Sequence, residues 1–399
     1  MTPTRRALAT TLALTALLAT APAAHAADTP QHPWYFDTLR VEEMWEHTTG
    51  EGITVAVIDS GVDSSLPELE GQVLEGTDLT GSAEGAHVDT DGHGTHMAAL
   101  IAGTGDGNGI RGIAPGVNIL PVRIVESGEF SISGVARWVE GIQYAIDSGV
   151  DVINISGTRE DIIGAAGPLS EVAEEAARQG ILFFASVGNE GEGANTVQPP
   201  ASLDGVVGVG AVRSDGERSS YSTSGAHVAI AAPGNGVPAY CGDLGGSLCL
   251  IEGGGTSAAA ALASASAALI WSQHPDWTKN QVLRVMLNTA ERSDDQRRDD
   301  YTGYGIVRPD RVIVDGEGDP GDPDSPPIFR DWEAGLMPPA TPEPTPETTP
   351  DASADPAPRP EAEAAATSEN SSSLPWILGG TAAVLLAAVT GWLLLRRRA

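Results

Sequence analysis

The chain has 399 residues, room for one large domain or two ordinary ones, and carries 54 acidic against 22 basic side chains for a formal net charge of −32. A surface of that sign excludes nucleic acid and anionic membrane surfaces as non-specific partners. No Cys-rich or His-rich run has the spacing of a zinc site.

Residues 1–26 open with Arg5 and Arg6, continue through a mostly apolar run from Ala7 to Leu18, and reach Ala24-His25-Ala26, the small-x-small pattern of a secretory cleavage site. They are expected to be a signal peptide, leaving residues 27–52 as an N-terminal extension whose apolar anchors would be Trp34, Tyr35, Phe36, Leu39 and Trp45. Only about 32 residues separate Ala27 from Asp59, too few for a typical independently folded propeptide. The extension is therefore expected to lie in surface grooves of the domain that follows.

Residues 53–314 read as that domain. Ile53-Thr54-Val55-Ala56-Val57-Ile58 is a β-branched, mostly apolar run ending in Asp59, the pattern of a buried parallel strand that delivers a carboxylate at its C-terminal edge. Further strands are predicted near Asn118–Val122, Val150–Ile155, Ile181–Ala185 and Val206–Val209, with helices near His93–Ile101, Gly134–Ser148 and Leu169–Gln179 between them. The alternation predicts an α/β domain, three layers deep, with helices on both faces of a mainly parallel sheet. Thr256–Ser272, nearly all small and apolar, is expected to be a buried central helix, and Thr278–Thr289 is helical in pattern. Gly103–Gly109 reads as a turn-rich loop; its spacing does not match a calcium-binding helix-loop-helix, so structural calcium stays unassigned and no cofactor is required. Cys241 and Cys249 lie eight positions apart in a domain that the signal peptide sends outward, where a local disulfide is expected.

Residues 315–373 are rich in Pro, Thr and Ala, and Asp315–Asn370 holds 14 acidic and 2 basic side chains, the composition of a semi-rigid stalk. Leu374–Leu395 carries no charge over 22 positions, about 33 Å as a helix against a hydrocarbon core of roughly 30 Å. It reads as a transmembrane helix. Arg396, Arg397 and Arg398 follow in the tail 396–399 and place the C-terminus in the cytoplasm and the domain outside, as a single-pass protein of the cell membrane.

The chemistry gathers at three short words. An Asp ends a buried strand at Asp59; a His begins a helix in Asp91-Gly92-His93-Gly94-Thr95-His96; a Ser begins another in Gly255-Thr256-Ser257-Ala258. A serine hydroxyl needs a base to become a nucleophile, and an imidazole needs a partner that holds its tautomer and stabilises the charge it acquires. Together with Val57-Ile58-Asp59-Ser60-Gly61-Val62, and in the order Asp, His, Ser, these words resemble the signatures of the subtilases, the subtilisin-like serine proteases.

The resemblance implies a serine endopeptidase with Asp59, His93 and Ser257 as catalytic residues. It also implies an oxyanion site from Asn189, in Ser186-Val187-Gly188-Asn189, with the Ser257 backbone N–H, and a substrate cleft lined by Asn154, Ile155 and Ser156. His96 is then a helix neighbour of the base. Two departures stand out: Gly157-Thr158 where relatives have Leu-Gly, and Ala261 where they commonly have Pro. Trp34-Tyr35-Phe36-Asp37, the run from Trp45 to Gly52 and the C-terminal layout resemble the mycosins, membrane-anchored subtilases of type VII secretion systems. That implies protein or peptide substrates secreted by such a system, and its membrane complex as partner. The alternatives are a degenerate subtilase acting as a structural or adhesion protein, and a lipase or esterase; the latter use Gly-x-Ser-x-Gly in the order Ser, acid, His, neither of which occurs here.

Overall fold

Runs of Val, Ile and Ala without polar alternation can settle only where both faces of a strand are covered, and a parallel sheet between helices is that place. A computed structural model describes residues 29–126, 134–158, 166–292, 297–331 and 333. In it β1 (Thr54–Asp59), β2 (Thr77–Asp78), β3 (Asn118–Arg123), β4 (Val152–Ile155), β5 (Leu182–Ser186), β6 (Val206–Val212) and β7 (Val228–Pro233) form one sheet in the order β2-β3-β1-β4-β5-β6-β7. All of its pairings are parallel.

Side-chain alternation along β1 divides the interior. Val55 and Val57 belong to the larger core, with α3 (His93–Ala102), α6 (Gly255–Gln273), α7 (Lys279–Thr289) and α8 (Pro309–Ile313). Ala56 and Ile58 belong to the other, against α4 (Val135–Asp147) and α5 (Ala166–Arg178). Three layers result. The chain moves from β1 to β3 on one side and to β4 on the other, so β1 lies at the topological switch point, where open α/β sheets place their ligands at the carboxyl ends of the strands. Asp59 is the last residue of that strand.

The N-terminal extension sits deeper than surface grooves. Its helices α1 (Trp34–Thr38) and α2 (Val41–Met44) bury Tyr35, Phe36, Val41 and Met44 in the larger core, together with Leu39 between them. Trp34 Nε1 donates to the Asn235 carbonyl and Trp45 Nε1 to the Ile113 carbonyl, each at 2.8 Å.

A hairpin and a strap also go beyond the expected elements. A hairpin of β8 (Val237–Tyr240) and β9 (Leu248–Ile251) precedes α6, and the Cys241–Cys249 disulfide closes it with Cα atoms 5.8 Å apart. The first part of the expected stalk, 315–333, is strapped along α7. Asn288 donates to the Asp319 carbonyl, Asn280 to that of Pro323, and Arg284 to those of Pro320, Asp322 and Ser325, while Lys279 pairs with Glu333. The polar face of α7 thus satisfies the backbone of a segment that has little apolar surface to bury.

The expected membrane span is corrected. Among the described residues no helix is long and apolar enough to cross a membrane. The 19-residue α6 comes nearest in character, but its apolar surface is spent on the domain interior, where every residue from Ala258 to Ile270 is buried. Residues 374–395 lie outside the described residues, as do the signal peptide 1–26, most of the stalk and the tail 396–399. The fold is a three-layer α/β domain, and among the described residues no helix supports the single-pass placement in the cell membrane.

Candidate active site

Asp59 ends β1 with no exposed surface, and His93 opens α3 above it. The imidazole Nδ1 lies 2.9 Å from both carboxylate oxygens, which sets it as the protonated nitrogen and leaves Nε2 to accept. The loop before α3 is tied down by Asp89. One of its oxygens accepts from the amides of Asp91 and Gly92, the other from the amide and hydroxyl of Thr95. The Gly94 amide donates to the Ser60 hydroxyl at 2.9 Å, and a Cβ on Gly94 would stand 2.2 Å from the Gly61 carbonyl oxygen. Only glycine lets α3 approach the end of β1 this closely.

Burial works against a charged His93, but the Asp59 carboxylate outweighs it, aided by Asp91 and Asp89, and the pKa rises above the ordinary histidine value. His96 differs. Its Nε2 bonds the Pro238 carbonyl at 2.7 Å, and burial pushes its pKa down to about 4. It is a neutral link between α3 and the hairpin, not a partner of Asp59.

Ser257 lies in the first turn of α6, where backbone N–H groups have no intrahelical acceptor. Its hydroxyl donates to the Ser156 carbonyl at 2.8 Å, and the Ser156 hydroxyl donates to the Ser257 carbonyl at 2.9 Å. Gly255, two residues earlier, takes φ +76, and a Cβ there would meet the Asn189 amide nitrogen at 3.1 Å. α3 and α6 pack on each other, so the helices that carry His93 and Ser257 share one interface.

Asn189 follows β5 and is exposed. Its Oδ1 accepts from the Thr256 amide at 2.9 Å and the Thr256 hydroxyl at 3.0 Å, an arrangement that turns Nδ2 away as a donor. Thr256 is a residue that sequence reasoning passed over; its place beside the serine in Gly255-Thr256-Ser257 was the available signal. The Asn154-Ile155-Ser156 segment is interior: Asn154 and Ile155 have no exposed surface, and Ser156 reaches the site through its carbonyl and hydroxyl. Among the described residues no group of three or more His, Cys, Asp or Glu side chains could hold a metal ion.

The model of the subtilase family matches residues 50–305. Subtilisin E of Bacillus subtilis (strain 168) is 36% identical over 247 residues, and the match covers 61% of this chain and 61% of the length of that curated relative. The crystal structure of MycP1 from Mycobacterium smegmatis has a TM-score of 0.61 at 27% identity, covering 77% of this chain and 89% of that one. The structure of the MycP3 protease from the type VII (ESX-3) secretion system has a TM-score of 0.61 at 29% identity, covering 72% and 88%.

Proposed function

The chain belongs to the subtilase family, and from that premise we propose that it is a serine endopeptidase in which Asp59, His93 and Ser257 hydrolyse peptide bonds through an acyl-enzyme. The observation that carries this reading is the pairing of a buried carboxylate with His93 across 2.9 Å, at the sheet's switch point and beside the helix that presents Ser257.

In the first step the Ser257 hydroxyl gives up its bond to the Ser156 carbonyl and passes its proton to His93 Nε2 as Oγ attacks the scissile carbonyl carbon. The imidazolium that forms is stabilised by Asp59, the contact that already raises the His93 pKa. Negative charge develops on the carbonyl oxygen, and the Ser257 N–H with the oriented Asn189 Nδ2 supply donors for it. His93 then protonates the leaving amine, the C–N bond breaks, and water repeats the sequence against the ester.

The likeness to MycP1 and MycP3 supports a finer reading, a mycosin that processes proteins exported by a type VII secretion system and supports that machinery as a partner. Cleavage-site profiling against a proteome-derived peptide library tests the first reading, with Ser257→Ala as control. A defined set of cleaved sites, absent with the control, supports it; identical profiles from both proteins refute it. Co-purification of the chain with secretion-complex components from its own cells tests the second.

A further inference from the structure

The helix that presents Ser257 is unusually smooth. From Ala258 to Ala268 it offers Ala, Leu and Ser alone, all buried. Alanine faces present few knobs to interlock, so apolar packing defines the axial position of such a helix poorly. Yet a nucleophile has to be held to a fraction of an ångström. Something else sets its register.

Ser264 stands seven residues, two turns, after Ser257 and therefore near the same helix face. It is fully buried. Its hydroxyl reaches the Asn154 Oδ1 at 3.2 Å and the Ala260 carbonyl at 2.9 Å, one proton serving two acceptors. Asn154, also fully buried, sits in β4 and turns its amide nitrogen to the Ser156 hydroxyl at 3.1 Å. Ser156 in turn grips Ser257 twice, through its hydroxyl and its carbonyl. A continuous chain of polar contacts thus leaves α6 at Ser264, passes through Asn154 on β4, the middle strand of the sheet, and Ser156, and returns to α6 at the nucleophile.

Resting on the reading of Ser257 as nucleophile, we propose that Asn154 and Ser264 are positioning residues: together with Ser156 they latch α6 to β4 and set the placement of the Ser257 hydroxyl. Neither touches substrate. Their loss displaces the attacking oxygen and leaves the binding surface in place, so the effect falls on kcat with KM unchanged. The two act as one unit, so removing both costs little more than removing either.

The test uses the purified wild-type chain, Ser264→Ala, Asn154→Ala, the double variant and Ser266→Ala. The last deletes an equally buried hydroxyl of the same helix, one whose bond runs to the Leu262 carbonyl and not to β4. Labelling by a fluorophosphonate first establishes that wild-type Ser257 is nucleophilic; absence of labelling refutes the underlying reading and not the latch. With that established, peptide hydrolysis by Ser264→Ala and Asn154→Ala should show kcat reduced by roughly tenfold to a hundredfold at unchanged KM, as for a reacting atom misplaced by about 1 Å or less. The double variant should match the worse single, and Ser266→Ala should keep wild-type kcat. Equal losses in Ser264→Ala and Ser266→Ala, an unchanged kcat in Ser264→Ala, or a rise in KM alone would each overturn the proposal.

Discussion

Replacing Asn189 separates two things that its side chain does at once. The Oδ1 atom accepts two bonds from Thr256, and the Nδ2 atom is left as a donor. Asn189 is exposed, so its packing contributes little, but Thr256 is buried, and an apolar residue at 189 strips its amide of an acceptor at about 1–3 kcal/mol of stability. Asn189→Leu therefore should lower both Tm and activity. Asn189→Asp keeps an oxygen for Thr256, and with it the fold, but replaces the donor by an anion where negative charge is to develop. Losing one such donor costs about 3–4 kcal/mol, roughly 10²–10³ in kcat, and the aspartate should be at least as damaging. Initial rates on a chromogenic peptide, read beside thermal melts, separate the two effects. An Asp variant that melts like wild type and keeps a near-wild-type kcat would refute the donor role of Asn189.

Gly94→Ala places a Cβ 2.2 Å from the Gly61 carbonyl oxygen and 3.0 Å from Asp59 Cβ. α3 has to retreat from β1, at about 1–3 kcal/mol of overpacking, and kcat should fall by roughly a hundredfold as His93 leaves Asp59; a folded variant with normal kcat would show that this close approach is dispensable. In the pH profile, His93 must be neutral to accept a proton, so activity should be lost on acidification through a pKa held above the ordinary histidine value by Asp59, with Asp91 and Asp89 acting in the same direction. Asp91→Asn removes one of those charges and should move the acid limb of kcat/KM to lower pH, whereas a limb that moves upward would contradict the assignment. The Tyr35 hydroxyl is buried without a hydrogen-bond partner, so Tyr35→Phe should stabilise the domain by about 1 kcal/mol and raise Tm by about 2 °C; a lower Tm would show that the hydroxyl is satisfied in solution.

Mostly apolar runs announced β1 and β3 to β6, because a strand covered on both faces has no polar period to blur it. β7 was missed since Val228-Ala229-Ile230-Ala231-Ala232 is mostly alanine, which favours helix by propensity. The four-residue strands of the β8–β9 hairpin are too short for any periodicity to register. Asp59, His93 and Ser257 stood out as candidates because each sits at the end of an element inside a glycine-bearing word, and glycine there marks close approach. Asn154 and Ile155, expected to line the cleft, have buried side chains, and in a fully buried strand nothing in the sequence tells which group faces substrate. The strap of 315–333 was read as stalk because its own composition buries little; what holds it is the polar face of α7, visible only once the two segments meet. The apolar run 374–395 suggested a membrane helix by length and hydropathy alone, and none of the described helices meets that description.

The central claim is that Ser257 attacks a peptide carbonyl with His93 as base. Its most direct test is mass-spectrometric mapping of a fluorophosphonate adduct on the intact chain, read together with hydrolysis of a peptide substrate by the same preparation. A single adduct on Ser257, formed in the wild type, abolished in His93→Ala and accompanied by loss of hydrolysis, is the expected result; labelling at another serine, or hydrolysis that survives modification of Ser257, would contradict it.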